Sequence, residues 1–176
     1  MKLHRLIAGI FAVTVTAAFV ARGDGDSPKN QGKTSDAKNV PVIADGALKQ
    51  PIKSVLDHYL KIQQALADDS INGISANAAA ISKAVKADQV KTLPSEVAND
   101  ADALVGAKDL ATARETFKDL SQSLIKFLSE KKVNTGEFDE VFCPMQNAYW
   151  LQASKDIANP YLGHSMPGCG EIKGSF

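Results

Sequence analysis

The apolar residues between positions 47 and 131 recur at intervals of three and four, which is the spacing of one face of an α-helix. The first run stops at the Asp68-Asp69-Ser70 break, Leu93-Pro94 interrupts the chain after the second, and Gly106 follows the third. The apolar positions of the four runs are Leu48, Ile52, Val55, Tyr59, Ile62 and Leu66; Ile74, Ala78, Ile81 and Val85; Val97, Ala101 and Leu104; and Leu110, Ala113, Phe117, Leu120, Leu124 and Phe127.

Each of these helices has a single apolar face, so it needs neighbours against which to bury that face. The connections between them are short, which favours antiparallel packing of consecutive helices. The pattern therefore predicts an all-α fold, an up-and-down antiparallel bundle of three to four helices. Asp69 or Ser70 is expected to cap the second helix, and Asp109 the last one, because such side chains accept hydrogen bonds from free helical amides.

The pattern changes after Lys132. Residues 138–142 are expected to be extended, and residues 146–157 to form a short helix that ends before Asn159-Pro160. We expect this C-terminal segment to lie as a clasp against the bundle.

The clasp contains both cysteines of the chain, Cys143 and Cys169, each with a methionine nearby. The proline after Cys143 disfavours a helical conformation there, and an extended backbone would point Cys143 and Met145 to the same side. A proline-glycine pair separates Met166 from Cys169 and suits a type II turn, which would bring these two residues together. Closing the segment would then group two thiols and two thioethers.

Two interpretations of this sulfur group stay open. Two cysteines in an exported chain are most simply a disulfide, here Cys143 to Cys169. Alternatively, Cys143, Met145, Met166 and Cys169 form a site for Cu(I) or Ag(I), because thiolates and thioethers select soft cations. His164 is a further candidate ligand, since it lies two residues before Met166.

The other candidate residues of the clasp have structural interpretations. Trp150 is expected to be a packing anchor, with a cation-π lid over a bound metal as the alternative. Asn159 and Tyr161 are expected to fix a turn through side-chain hydrogen bonds.

The N-terminus has the features of an export signal. Lys2 and Arg5 precede an apolar run from Leu6 to Ala21, which is shorter than a membrane span needs. We therefore expect a signal peptide over residues 1–22, a flexible linker over 23–46 and a helical domain over 47–176. The mature chain is expected to be periplasmic or secreted, without a transmembrane span, and a membrane-held form is the less favoured alternative.

Charge and motifs exclude several classes of function. The 20 basic residues are balanced by 20 acidic ones, which leaves no basic field for nucleic acid. The sequence lacks a phosphate-binding glycine loop, a GxSxG elbow, HExxH and CxxC. The chain is expected not to be an enzyme.

The C-terminal motif resembles a family that is known as a domain of unknown function. The resemblance covers roughly residues 48–172, and it rests on Tyr59-Leu60, Ala65-Leu66, Asp68-Asp69, Phe117, Leu120-Ser121, Cys143-Pro144-Met145, Trp150-Leu151, Asn159-Pro160-Tyr161, Gly163, Met166 and Cys169-Gly170.

That family occurs alone in exported bacterial proteins or fused to periplasmic adaptor subunits of Cus-type copper and silver efflux pumps. The resemblance implies a helical module associated with heavy metals. This chain departs from the fused members because it has no adaptor region, so a pump would be a separate partner, and His164 matches no fixed ligand of the family.

Two functional hypotheses follow. The first is a periplasmic module that binds Cu(I) or Ag(I) in heavy-metal homeostasis or efflux, with an efflux adaptor or another envelope protein as its partner. The second is a disulfide-stabilised interaction module that docks on an envelope protein and binds no metal.

Overall fold

A computed structural model of the chain describes residues 42–44 and 47–176. The proposed signal peptide and most of the proposed linker lie outside the described residues. Two short strands, β1 (Ile43–Ala44) and β2 (Ala47–Leu48), pair antiparallel before the first helix. Four helices follow, and their bounds are Ile52–Ala67 for α1, Ile74–Ala87 for α2, Ser95–Val105 for α3 and Leu110–Glu130 for α4.

The four helices lie where the apolar spacing predicted helices, except that Leu48, expected in the first helix, belongs to β2. Nearly every apolar position of the four runs is buried in one common core, and consecutive helices pack against each other. Asp109 caps α4 as expected, because its carboxylate accepts a hydrogen bond from the Thr112 amide at 2.8 Å. The expected cap of α2 is wrong. Gly73 stands at the N-terminus of that helix, while Asp69 points its carboxylate to Arg114 and His164.

The prediction of an all-α fold is wrong, because residues after α4 form a three-stranded antiparallel sheet. Its strands are β3 (Asp139–Cys143), β4 (Ala148–Gln152) and β5 (Glu171–Ser175), and β3 lies in the middle. The fold is therefore mixed, with four helices and a small sheet. The short helix expected over 146–157 is also wrong, since β4 occupies much of that range.

The hairpin between β3 and β4 explains this difference. Residues 144–147 form its turn, and Asn147 takes the left-handed conformation at a φ of 45°, which asparagine tolerates better than most residues. The register pairs Val141 with Trp150 and Cys143 with Ala148, and all four of these side chains are buried. One face of the hairpin thus belongs to the core.

Two tyrosine hydroxyls attach the free edge of β4 to the rest of the protein. The hydroxyl of Tyr59, on α1, accepts a hydrogen bond from the Leu151 amide at 3.0 Å. The hydroxyl of Tyr161 donates to the Tyr149 carbonyl at 2.6 Å. Ser121, on α4, contacts both hydroxyls through its Oγ, at 2.8 Å from Tyr59 and 3.4 Å from Tyr161. The outer side of an edge strand leaves backbone groups unpaired. Here the two tyrosine hydroxyls pair with one amide and one carbonyl of that edge.

The C-terminus closes the sheet. Phe138 and Phe176 exchange two backbone hydrogen bonds, and the Phe176 side chain is buried. Among the residues that the structure describes, no helix combines the length and the apolar character that crossing a membrane requires.

Candidate functional site

The two cysteines occupy backbone positions that are fixed by different elements. Cys143 is the last residue of β3, so its backbone is extended as predicted. Cys169 lies just before β5, where its amide donates to the Met166 carbonyl at 3.1 Å. The structure brings the two residues together across the end of the sheet, and both are free thiols.

The thiols form a close and asymmetric pair. Their sulfur atoms lie 3.2 Å apart, with Cys143 fully buried and Cys169 partly exposed. Burial raises the pKa of the Cys143 thiol, but hydrogen bonds from Cys169, the Gln146 and Met145 amides and the Asn159 side chain outweigh it and lower that pKa overall. The hydrogen bond to Cys143, together with burial, raises the pKa of the Cys169 thiol. When the pair loses one proton, the charge is therefore favoured on Cys143, whose thiolate accepts a hydrogen bond from the Cys169 thiol.

The two methionines differ from their predicted arrangement. Met145 lies in the hairpin turn and not in an extended segment, so strand alternation does not place it beside Cys143. The turn from Met166 to Cys169 exists, but Gly168 lacks the positive φ that a type II turn requires at its third residue. The side chains of Met145 and Met166 are 61% and 43% exposed, so both thioethers are accessible to solvent.

Asn159 organises the chain around the thiols. It is completely buried, and its Oδ1 accepts hydrogen bonds from the amides of Tyr161 and Leu162 at 2.8 and 3.0 Å. Its Nδ2 donates to the Cys169 carbonyl, and its own amide donates to the Pro167 carbonyl at 2.9 Å. The expected turn-fixing role of Asn159 agrees with these bonds, which join the two ends of the loop that carries His164 and Met166.

A second group of polar side chains holds this loop against the helices. Arg114, on α4, donates to the Pro160 carbonyl at 2.9 Å and to the Leu66 carbonyl at 3.0 Å, and it pairs with Asp69. Asp69 also accepts from the His164 amide at 3.0 Å and lies 3.2 Å from the His164 imidazole. The predicted ligand His164 thus lies beside a carboxylate.

Gly163 is part of the same contact. Its φ is +52°, and a β-carbon there would overlap the carboxylate of Asp69. The role of Arg114 is not visible in the sequence, because nothing in its local pattern distinguishes it from a solvent-exposed helical arginine.

Trp150 packs between the sheet and the loop that precedes β5, in the packing role expected for it. Its side chain is fully buried, and its ring meets the Tyr161 ring edge-on at 5.9 Å between centroids. The indole N–H donates to Gln152 at 3.1 Å, which satisfies its polar atom. Gly170 packs directly on the ring, because a β-carbon at that position would lie 2.7 Å from Trp150 and 2.8 Å from Val141.

Gly170→Ala is therefore expected to destabilise the fold by about 1 to 3 kcal/mol, the usual cost of overpacking a well-filled core. Gly168→Ala is a matched control two residues away, since a β-carbon there has no heavy atom within 4 Å. Urea unfolding followed by circular dichroism measures both. Equal stability of the two variants would contradict the close packing of Gly170 on Trp150.

No group of three or more histidine, cysteine, aspartate or glutamate side chains within residues 42–44 and 47–176 is arranged to hold a metal ion. The sulfur donors of the candidate site are the two thiols and the two solvent-accessible thioethers of Cys143, Cys169, Met145 and Met166.

Comparison with known proteins concerns the helical part of the chain. A search against curated proteins and a search against solved structures found no match. A family model matches part of the chain. The match ends before β3, so the sheet and both cysteines lie outside it. Residues 55–136 match the model of a family described as a protein of unknown function, DUF3347, which supports a domain-of-unknown-function family for this chain.

Proposed function

We propose that this chain is an exported module that binds a soft monovalent cation, Cu(I) or Ag(I), through Cys143 and Cys169. The observation that carries the proposal is the thiol pair, with sulfur atoms 3.2 Å apart and one of them stabilised as a thiolate. The thiolate is the form of cysteine that binds metals. Sulfur ligands select soft cations over harder ones.

The distance between the thiols fits such a site. A metal–thiolate bond of about 2.3 Å, the value for zinc, would put two sulfurs at most about 4.6 Å apart in a linear complex. From their distance of 3.2 Å, the sulfurs would therefore have to separate by at most about 1.4 Å to admit a cation between them. Cys169 is partly exposed, so rotation of its side chain can supply a movement of this size without a change in the sheet.

Met145 and Met166 are the additional donors in this proposal. Both thioethers are exposed, so rotation of either side chain costs little packing energy. Met166 is joined to Cys169 by the hydrogen bond of its turn, and the Met145 amide donates to the sulfur of Cys143. The backbone of each methionine thus lies close to one of the two thiols. Thioether ligands would favour Cu(I) over Zn(II).

We propose a role in heavy-metal homeostasis or efflux, with a periplasmic efflux adaptor or another envelope protein as the partner. The resemblance of the C-terminal motif to domains fused to Cus-type adaptors supports this context. The apolar segment at the N-terminus, which reads as an export signal, supports a periplasmic or secreted location.

The double variant Met145→Leu, Met166→Leu tests the proposal. It nearly conserves side-chain volume at two exposed positions, so the fold should persist. The reduced variant is expected to bind Cu(I) at least about tenfold more weakly than the reduced wild type, a difference of about 1.4 kcal/mol. Competition against a colorimetric Cu(I) chelator measures both affinities. Cys143→Ser should lose nearly all binding.

Binding should also weaken as the pH falls. The cation replaces the proton that the thiol pair retains, so protons compete with it at low pH. If the reduced wild type and the double methionine variant compete equally poorly with the chelator, the metal hypothesis is wrong. The disulfide-stabilised interaction module is then the better account, and the exposed ring of Tyr149, packed on Phe142 at 4.6 Å between centroids, is the first surface to test.

A further inference from the structure

The two thiols differ in their exposure to solvent, and the proposed metal site does not depend on this difference. Cys169 is partly exposed, whereas Cys143 is completely buried behind it. A molecule arriving from solvent therefore meets the sulfur of Cys169 first. The buried Cys143 sulfur lies 3.2 Å from the Cys169 sulfur, so it is within reach of Cys169 but not of the incoming molecule.

We infer that Cys143 and Cys169 form a thiol–disulfide exchange pair with fixed roles, in which Cys169 reacts with an incoming disulfide and Cys143 then displaces the bound half. The chemical class of substrate is a small or surface-exposed disulfide. Nothing in this inference needs a metal, so it goes beyond the proposed function.

The two steps balance as ordinary exchange. The Cys169 thiolate, formed when its shared proton moves to Cys143, attacks one sulfur of the substrate disulfide and releases the other half as a thiolate. Cys143 gives up this proton and attacks the Cys169 sulfur, which releases the second half. The two cysteines, which share one proton, are oxidised to one disulfide, and the substrate disulfide is reduced to one thiolate and one thiol, which takes up the shared proton.

The geometry favours the second step. A disulfide bond is about 2.05 Å long, so the two sulfurs need to approach by only about 1 Å. Both backbones are held in place, since Cys143 is paired in β3 and the Cys169 carbonyl accepts from Asn159. The attacking sulfur is thus already positioned beside the mixed disulfide that it must resolve.

The surroundings of Cys143 also make the exchange reversible. Its sulfur accepts hydrogen bonds from the Gln146 and Met145 amides and from Asn159 when it is a thiolate. Formation of the disulfide removes the charge that these donors stabilise. Stabilisation of the reduced form makes a disulfide easier to reduce, as in oxidising exchange proteins and unlike structural disulfides.

Oxidised glutathione is a suitable probe, with the products identified by intact mass and by counting free thiols. Wild type is expected to lose both thiols without keeping a glutathione adduct. Cys143→Ser should accumulate the adduct on Cys169, because nothing resolves it. Cys169→Ser should react at least about tenfold more slowly than Cys143→Ser, because the remaining thiol is inaccessible. Circular dichroism checks that both variants are folded.

Two results would overturn the assigned roles. The first is a lasting adduct on the wild type without an internal disulfide. The second is a Cys169→Ser variant that reacts as fast as Cys143→Ser. A variant that fails to fold is replaced by the corresponding cysteine-to-alanine substitution, which keeps each comparison decisive.

Oxidation of the pair should also weaken metal binding, an expectation that rests on the proposed function and is measured separately with Ag(I). The oxidised protein has no thiolate to offer, so its binding of Ag(I), a cation that undergoes no redox change here, should fall at least about tenfold relative to the reduced protein. Failure of the reduced protein to bind Ag(I) would count against the metal site alone. Failure of the glutathione reaction would count against the exchange pair alone.

Discussion

Trp150→Ala is expected to lower the free energy of unfolding by about 3 to 5 kcal/mol, the range for removing a large aromatic side chain from a core. The Trp150 side chain is completely buried, and its ring packs against Gly170 and Tyr161, so its loss leaves a cavity between the sheet and the loop that carries Cys169. Urea unfolding monitored by far-UV circular dichroism measures the change without relying on the indole fluorescence.

Tyr149→Ala is the matched control in the same strand. Successive residues of a strand point to opposite faces, and Tyr149 is 43% exposed where Trp150 is buried. The loss of its contact with Phe142 should cost less than about 1 kcal/mol. If the two variants were equally destabilised, residues 148–152 would not form the strand described here.

Asn159→Ala is the second substitution with a large expected effect, a loss of about 3 kcal/mol or more. The variant leaves the amides of Tyr161 and Leu162 and the carbonyl of Cys169 without their partner, and each unsatisfied buried group costs about 1 to 3 kcal/mol. Chemical unfolding measures this loss. The variant also lacks one donor to the Cys143 thiolate, so the pKa of that thiol should rise, which a titration of thiolate absorbance detects.

Asn159→Asp separates the two roles of this side chain. A carboxylate still accepts from the Tyr161 and Leu162 amides, but it cannot donate to the Cys169 carbonyl or to the Cys143 sulfur. Its negative charge beside the thiols should raise the pKa of Cys143 beyond the value in Asn159→Ala. A Cys143 pKa unchanged by either substitution would show that Asn159 acts only on the backbone.

The helices were predictable from the sequence because each is a local structure with one apolar face. Every buried stripe position of α1 and α2 follows the spacing of three and four, and the Asp109 cap acts on the adjacent turn. These signals lie within a few residues of each other. No knowledge of the rest of the chain is needed to interpret them.

The sheet was not predictable in the same way. In β4, Trp150, Leu151 and Gln152 are all buried, so the strand lacks the alternation that would identify it. In β5, four of the five side chains are exposed, and the strand is defined by its pairing with β3, about thirty residues earlier. Such pairing is a tertiary effect that overrides local propensity.

The candidate site was predictable only in part. The two cysteines lie close together as expected, but the pairing of β5 with β3 brings them there, and the sequence pattern did not indicate that pairing. The contacts of Arg114 with Asp69 and Pro160 join α4, the end of α1 and the loop, and no spacing in the sequence relates these residues.

The hydrogen bond to the Tyr59 hydroxyl makes the amide proton of Leu151 a specific reporter of the contact between β4 and the helices. The Leu151 amide donates to the Tyr59 hydroxyl of α1 and not to another strand. Its exchange with solvent deuterium therefore requires the sheet to move off the helices, whereas the amides of the ladder require the strands to separate. Comparison of the two exchange rates would show whether the thiol-bearing half of the protein opens as a hinged unit before it unfolds.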